Sequence, residues 1–266
     1  MAAMRGSDTL LALGRDGQGN KRFTAVRMRS AEEGLAKNAE ALARALHRVS
    51  SFAVERAVRT AAGRGMVLGT EHRRAMEDVM KAPGLSLVVG YAGAGKSAML
   101  GVAWEAWEAW EAAGYTVRGA ALSGIAAENL EGGSGIASRT IASLEHSWAL
   151  DRDWLSARDV LVVDEAGLIG TRQLGLVLAE AAHGGAKVVL VGDVQQLQAI
   201  EAGAAFRLLA KRHGAAEISE VRRQSAQWMR DATRAFATGR TGEAIAAYAQ
   251  AGMVHAADTR DAASQR

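Results

Sequence analysis

A glycine-rich stretch that ends in a lysine and a serine has the spacing of a phosphate-binding loop. The pattern is Gly90-x-x-x-x-Gly95-Lys96-Ser97, and it follows a short apolar run at 85–89 that predicts a buried strand. Glycines let the loop turn its backbone N–H groups toward an anion. The lysine supplies a positive charge for the β- and γ-phosphates of a nucleotide, and the serine supplies a hydroxyl ligand for Mg²⁺.

The alternative for this stretch is a glycine-rich turn that binds nothing. A helix is predicted from Lys96 onward, and the positive end of its dipole would face an anion held by the loop. The order of strand, loop and helix therefore favours phosphate binding. The residues expected to contact a nucleotide are Gly90, Tyr91, Ala92, Gly93, Ala94, Gly95, Lys96 and Ser97.

An acidic pair follows a second apolar run. Residues 160–163 are Val-Leu-Val-Val, and Asp164 and Glu165 come next. Downstream of a phosphate-binding loop, one carboxylate of such a pair would hold Mg²⁺ and the other would orient and deprotonate the attacking water. The pair is not specific by itself; its position after the loop makes it a candidate hydrolytic centre.

Further polar side chains follow the next two predicted strands. A strand at 187–191 is followed by Asp193 and Gln196, and ligands bind at the carboxyl ends of strands in open α/β sheets. Gln196 could sense the γ-phosphate or the attacking water, and Asp193 could cap a turn. Arg223 is a candidate arginine finger, the alternative being a basic pair with Arg222 in solvent.

Composition limits the class of protein. The 266 residues suffice for one or two domains with a substantial core, and 49% of them are hydrophobic. The formal net charge of +3 permits a polyanionic partner without requiring one. The sequence has no cysteine, which excludes disulfides and thiol chemistry. No apolar run approaches the length of about 18 residues that predicts a membrane span, so we expect a cytoplasmic protein with no membrane partner.

Residues 1–65 are predicted to form a small α+β leading segment. A hairpin is expected over 9–28, followed by a helix over 31–48 with Ser30 as its N-cap and a second helix over 51–61. Nothing in this segment predicts a chemical role.

Beyond residue 65, strands and helices alternate, which predicts an α/β fold with a parallel sheet flanked by helices. We expect the ends of adjacent parallel strands to bring the lysine, the serine and the two carboxylates around one triphosphate. Strands are predicted at 85–89, 115–122, 159–164, 187–191 and around Ile218, and helices at 68–80 with Thr70 as N-cap, 96–113, from Ser123 with an interruption at 132–135, 138–148, 202–213, 225–238 and 241–250.

Two other features each have two explanations. Trp104, Trp107 and Trp110 recur at every third position of a predicted helix, which favours packing against a neighbour over stacking on nucleic-acid bases. Small, hydroxyl-bearing segments at 123–130 and 138–140 could contact phosphates or a single strand, or they could be plain turns.

Taken in order, these motifs resemble superfamily 1 DNA helicases of the RecD-like type. The resemblance is carried by 90–97, 164–167, Gly192-Asp193-x-x-Gln196-Leu197 and Arg222-Arg223-Gln224. The segments 120–130 and 195–203 are similar, more narrowly, to the helicase portion of conjugative-transfer relaxase/helicases of the TraA type. The similarity covers most of 65–255, and the four motifs in order are more specific than any one of them.

This resemblance implies a P-loop NTPase with a RecA-like parallel sheet over 66–255, preceded by the leading segment and followed by a polar tail at 256–266. Such a domain binds ATP and Mg²⁺ and grips single-stranded DNA, and 123–129 and 138–140 resemble the DNA-contacting segments. By position, the implied roles are phosphate binding for Lys96, Mg²⁺ binding for Ser97 and Asp164, catalytic base for Glu165, coupling of the γ-phosphate to DNA contact for Gln196, and contact with the γ-phosphate for Arg223.

The sequence departs from the family in three respects. His72 stands where the family has a glutamine that contacts adenine, which leaves the preference for ATP over GTP open. Val194 and Gln198 stand where the third motif has prolines. The second RecA-like domain and the relaxase domain do not follow, so we expect little unwinding from this chain alone and a partner domain on another chain; loss of an arginine finger costs about 10³–10⁵ in rate in related systems.

Three functions therefore compete: a helicase motor domain with ATPase activity, a nucleotide-dependent single-stranded DNA-binding module or remnant without turnover, and a P-loop kinase or GTPase. The third is disfavoured because the sequence has no Asn-Lys-x-Asp guanine-binding motif and no identifiable lid or acceptor site.

Overall fold

The computed structural model describes residues 10–47, 51–81, 83–91, 93–108, 115–194, 205–219, 227–237 and 239–254. Eight strands and ten α-helices are defined within these ranges. In chain order they are β1 (Leu10–Arg15), β2 (Lys21–Ala25), α1 (Val26–Arg44), α2 (Ser51–Gly63), α3 (Thr70–Val79), β3 (Leu85–Gly90), α4 (Lys96–Glu108), β4 (Thr116–Ala121), α5 (Gly124–Ser134), β5 (Ser138–Thr140), α6 (Ile141–Ala149), β6 (Asp159–Val163), α7 (Thr171–Gly184), β7 (Lys187–Gly192), α8 (Ala205–His213), β8 (Ala216–Ile218), α9 (Gln227–Ala237) and α10 (Thr241–Gln250).

Six of the strands form one parallel sheet in the order β5-β4-β6-β7-β3-β8. Every residue of β6 and β7 is buried, because helices cover both faces of a parallel sheet. The predicted α/β class, a parallel sheet flanked by helices and preceded by a small hairpin, is confirmed. The expectation that the phosphate-loop strand and the acidic strand are neighbours is wrong, because β7 lies between β3 and β6.

Alternate side chains of the central strands pack into two separate hydrophobic cores. Leu161 and Val163 of β6 lie in one core, and Val160 and Val162 lie in the other, as the two-residue period of a strand requires. Helices α1, α7 and α8 cover the first core, and α2, α3 and α4 cover the second. Helices from residues 1–65 therefore contribute to both cores.

Three predicted helix starts are wrong. Helix α1 begins at Val26 with Ala25 as N-cap, not at Ser30, because β2 ends at Ala25 and passes directly into the helix. Helix α3 has Gly69 as its N-cap, so Thr70 is already helical. Residues 138–140 form β5, because they pair with β4 at the edge of the sheet. Helix α6 therefore begins at Ile141, with Thr140 as its N-cap, whose hydroxyl accepts from the backbone N–H of Ser143.

The tryptophans of α4 are packing residues where the structure describes them. Trp107 is 1% exposed in the second core, and Trp104 packs against the same core. Trp110 lies outside the described residues. Within the described part of the chain, no helix is long and apolar enough to cross a membrane.

Candidate nucleotide-binding site

The glycines of the phosphate-binding loop have conformations that other residues adopt rarely. Gly93 and Gly95 have φ angles of 78° and 74°. A Cβ atom at Gly90 would lie 3.1 Å from both the carbonyl oxygen of Ile218 and the side chain of Lys96. The loop thus passes from the end of β3 into α4 along a path that requires glycine. Ala92 lies outside the described residues.

The side chain of Lys96 folds back over the loop. Its Nζ atom donates to the carbonyl oxygens of Gly90 at 2.7 Å and Tyr91 at 3.0 Å. Ser97 follows in the first turn of α4 and is half-buried. The ammonium and hydroxyl groups therefore both lie where the loop enters the helix.

The acidic pair lies at the same edge of the sheet. Asp164 follows β6, and its backbone N–H donates to the carbonyl oxygen of Ala120 at 2.9 Å. Burial raises the pKa of Asp164, while donation from the backbone N–H of Glu165 and the charge of Lys96 partly oppose that rise. Burial and the neighbouring Asp164 raise the pKa of Glu165, again opposed by Lys96. One ammonium group thus acts on both carboxyls across the intervening strand β7.

Glu165 has a strained backbone. Its φ and ψ angles of 52° and 33° place it in the left-handed region, which residues with a Cβ atom rarely adopt. The chain then turns through a short 3-10 helix, Ala166–Leu168. Strain of this kind concentrates at functional sites, where the surrounding packing maintains it.

Two glycines dock the acidic pair onto the end of β7. A Cβ atom at Gly167 would lie 2.5 Å from the carbonyl oxygen of Asp193, and one at Gly192 would lie 2.9 Å from the backbone nitrogen of Gly167. These close approaches hold the segment after β6 against its neighbour. Neither glycine is assigned a role by its type or spacing alone; the sequence signal available is that Gly167 follows the acidic pair by two residues and Gly192 precedes Asp193.

His72 packs against the backbone of the phosphate-binding loop at Ala94 and Gly95. Its ring is 1% exposed, and Nε2 donates to the carbonyl oxygen of Ala94 at 2.6 Å. A Cβ atom at Gly95 would lie 3.0 Å from the same ring nitrogen. Nδ1 is buried and has no hydrogen-bond partner among the described residues. The structure therefore places His72 against the loop backbone, and a contact with a nucleotide base stays a prediction.

The remaining predicted residues are not all described. Gln196 and Arg223 lie outside the described residues. Ser219, at the end of the segment that includes β8, donates through its backbone nitrogen and its hydroxyl to Glu71 at 2.7 and 2.8 Å. Glu71 and His72 are neighbours on α3, so one helix holds both the phosphate-binding loop and the chain that leads toward Arg223.

The predicted DNA-contacting segments meet in one groove. It is lined by Gly124, Ala127, Glu128, Glu131, Gly132, Ser138, Arg139 and Thr140, which come from α5 and β5. Two hydroxyls of these segments act as helix N-caps: Ser123 accepts from the backbone N–H of Ala126 at the start of α5, and Thr140 accepts from that of Ser143 at the start of α6. The Arg139 guanidinium donates to the Asp153 carboxylate at 2.8 Å and to the Ser147 hydroxyl at 2.9 Å. The hydrogen bond from Arg139 lowers the pKa of Asp153.

The residues present fit a magnesium–nucleoside triphosphate. Mg²⁺ keeps several waters and takes one or two protein oxygens together with phosphate oxygens, rather than a cage of side chains. Ser97 and Asp164 supply such oxygens, and the described residues contain no cluster of three or more His, Asp or Glu side chains that would form a cage. The glycine loop and Lys96 supply the donors for the phosphates.

Comparison with known proteins decides the family. A family model described as an AAA domain matches residues 67–259. The chain belongs to this AAA-domain family. It is 44% identical over 221 residues to a probable conjugal transfer protein TraA of Sinorhizobium fredii and 45% identical over 181 residues to a conjugal transfer protein TraA of Rhizobium radiobacter. These matches confirm the RecD-like, TraA-type resemblance drawn from the motifs.

The alignments cover most of this chain but only a small part of each relative. The two alignments include 83% and 68% of this chain but only 20% and 16% of the relatives, so the chain spans about a fifth or less of their length. A solved structure of Pif1 helicase from Candida albicans aligns with a TM-score of 0.46 and 21% identity, over 64% of this chain and 44% of that protein.

Proposed function

We propose that this chain is the ATP-binding and ATP-hydrolysing motor domain of a DNA helicase of conjugative transfer. One observation carries the proposal: β3 and β6 are parallel to the intervening strand β7, so the loop and the acidic pair lie at the same edge of the sheet, and the charge of Lys96 opposes the rise in the pKa of both Asp164 and Glu165. A phosphate-binding loop and an acidic pair that face each other in this way are the two halves of a nucleotide-hydrolysis site.

Different residues of the chain would bind the phosphates and the metal. The loop N–H groups and Lys96 would hold the β- and γ-phosphates, and the Ser97 hydroxyl and the Asp164 carboxylate would hold the metal. When bound, Mg²⁺ supplies charge neutralisation at the phosphate oxygens. Lys96 would exchange its contacts with the Gly90 and Tyr91 carbonyl oxygens for phosphate oxygens.

Glu165 would act as the general base. Its pKa is raised by burial and by the neighbouring Asp164, which makes its carboxylate a stronger proton acceptor than an exposed glutamate. The left-handed backbone at Glu165 and the packing of Gly167 on Asp193 would fix the direction from which it approaches a water molecule. The proton would move from that water to a carboxylate oxygen of Glu165.

The partners are proposed from the relatives and the groove. Single-stranded DNA would lie in the groove between α5 and β5, and Gln196 would relay the state of the γ-phosphate to it. Arg223 and an arginine from a second RecA-like domain would reach the γ-phosphate. Unwinding would need that second domain, and we expect the protein to work in the cytoplasm.

Steady-state ATP hydrolysis tests the proposal. Wild-type protein is assayed with Mg²⁺, with and without a single-stranded oligonucleotide, beside Lys96→Ala and the control Lys37→Ala. Lys37 is an exposed lysine on α1, remote in sequence from the loop. We expect hydrolysis that DNA stimulates, that Lys37→Ala retains and that Lys96→Ala loses by at least about 10²-fold.

Two results would speak against the proposal. Hydrolysis that survives Lys96→Ala would refute the assignment of the site. Binding of ATP and single-stranded DNA with no turnover would select the alternative, a nucleotide-dependent DNA-binding module.

A further inference from the structure

Helix α5 touches the metal-binding serine of the proposed site. A Cβ atom at Gly133, in the last turn of α5, would lie 2.9 Å from the Cβ atom of Ser97 and 3.5 Å from its hydroxyl oxygen. Two Cβ atoms do not approach that closely. Because the Cβ of Ser97 is fixed to the backbone of α4, a side chain at Gly133 would have to push the two helices apart.

Two further glycines make the same helix contact close. A Cβ atom at Gly101 of α4 would lie 3.0 Å from the carbonyl oxygen of Ser134, and one at Gly135 would lie 2.7 Å from the ring of Trp104. Gly135 also has a φ of 80° and ends α5 as its C-cap. Gly133 and Gly135, which belong to the glycine-rich stretch 132–135, therefore form part of the surface by which α5 packs on α4.

The other side of α5 forms the groove proposed for DNA. Glu128, Glu131 and Gly132 line that groove, and the Glu131 carboxylate accepts from the backbone N–H of Ser138 at 2.9 Å, which joins α5 to β5. Gly132 faces open space, since a Cβ atom there would meet nothing within 4 Å. Consecutive residues of one helix thus face the groove and the metal-binding serine.

We propose that Gly133 is a positioning residue, which sets the location of the Ser97 hydroxyl for Mg²⁺ and makes α5 a rigid link between the nucleotide site and the groove. This inference rests on the proposed function, because it needs Ser97 to hold the metal. A methyl group at position 133 displaces the first turn of α4, so the hydroxyl no longer reaches the metal, while the contacts of the loop with the phosphates are less affected.

The test compares Gly133→Ala with Gly34→Ala. Both changes replace a glycine inside a helix and bring a similar gain in helix propensity, but position 133 has Ser97 beside it, whereas a Cβ atom at Gly34 of α1 would meet nothing within 4 Å. Binding of a fluorescent, non-hydrolysable ATP analogue is titrated with Mg²⁺ and repeated in EDTA. Gly133→Ala should raise the Mg²⁺ concentration for half-maximal binding about tenfold or more, with binding in EDTA changed less than twofold, and Gly34→Ala should match the wild type.

A double-mutant cycle separates the Ser97 contact from general disruption. Ser97→Gly removes the Cβ atom that the new methyl group would meet, so Gly133→Ala/Ser97→Gly should fold even if Gly133→Ala alone does not. The double variant should equal Ser97→Gly in melting temperature and in Mg²⁺ dependence. An equal cost of Gly133→Ala in both backgrounds would overturn the inference.

The outcomes also distinguish the two proposals. If the wild type binds the analogue with Mg²⁺ and Gly133→Ala behaves as Gly34→Ala does, the inference fails and the proposed function stands. If the wild type does not bind the analogue with Mg²⁺, both fail.

Discussion

The Nε2 atom of His72 lies 2.6 Å from the carbonyl oxygen of Ala94, inside the phosphate-binding loop. The hydrogen bond ties α3 to the loop, and the ring fills the space under Gly95. A residue expected to contact a base is thus also part of the support that gives the loop its shape.

Removing this support should weaken nucleotide binding. His72→Ala leaves the Ala94 carbonyl oxygen without its donor and opens a cavity below the loop, which should cost about 1–3 kcal/mol of stability and about tenfold in nucleotide affinity. Affinity is measured by calorimetry for ATP and for GTP, with the exposed neighbour Arg74→Ala as control. Unchanged affinity in folded His72→Ala would show that the loop does not depend on His72.

Glu165, the proposed general base, can be changed without removing the groups proposed to bind the nucleotide. Glu165→Gln keeps the size of the side chain but not its proton acceptor, so hydrolysis should fall by about 10²–10⁴-fold while affinity for the nucleotide stays within about threefold. Single-turnover hydrolysis and analogue binding are measured beside Glu217→Gln, an exposed glutamate on β8. Near-normal hydrolysis in Glu165→Gln would assign the base elsewhere.

Backbone strain at Glu165 should appear as a stability difference between two inactive variants. Glycine adopts a φ of 52° without the steric cost that a Cβ atom brings. Glu165→Gly should therefore be more stable than Glu165→Ala, with a free energy of unfolding larger by about 1 kcal/mol. The difference is measured by denaturant unfolding, in which the glycine variant should have the higher midpoint. Equal stability, or a more stable alanine variant, would mean that the left-handed conformation is not held in solution.

A buried lysine at the opposite edge of the sheet should make stability depend on pH. Lys187 is 0% exposed, and its Nζ donates to the carbonyl oxygens of Lys81 and Pro83 and to the Ser86 hydroxyl. Burial lowers the pKa of Lys187 from 10.5 to about 7. Between these values the unfolded chain binds the additional proton, so the free energy of unfolding should rise as the pH rises from about 7 toward 10.

The matched variant for this dependence is Lys187→Met, which keeps the length of the side chain. Its unfolding free energy should lose most of the rise above pH 7. The pKa of His47 is lowered from 6.5, first by burial and then by the charge of Lys187. The pH dependence of stability that His47 contributes therefore lies below pH 6.5, outside the window in which Lys187 acts. The same slope in both proteins, measured by urea unfolding, would contradict a neutral buried lysine.

Local patterns were enough to predict the parallel sheet and the loop. The spacing from Gly90 to Ser97 and the apolar run before Asp164 are short contiguous signals, so the loop and the strand that ends before Asp164 could be predicted from them. The structure added what depends on contacts distant in the chain: β7 lies between β3, which precedes the loop, and β6, which precedes the acidic pair, and residues 138–140 pair as a strand.

Close glycine contacts could not be predicted for the same reason. Gly133, Gly167 and Gly192 have ordinary neighbours in sequence, and their importance appears only when another element approaches within van der Waals distance. Ser30 is a good N-cap by residue type, but α1 starts at Val26 because β2 passes directly into the helix, a continuity that local sequence does not indicate.

The proposed function requires the loop and the acidic pair to bind one magnesium–nucleotide complex together. Calorimetric titration with a non-hydrolysable ATP analogue and Mg²⁺ measures this binding in the wild type, Lys96→Ala, Asp164→Asn and the control Lys37→Ala. We expect one binding site in the wild type and Lys37→Ala, and affinity at least about tenfold weaker in the other two. Equal affinity in all four proteins would contradict it.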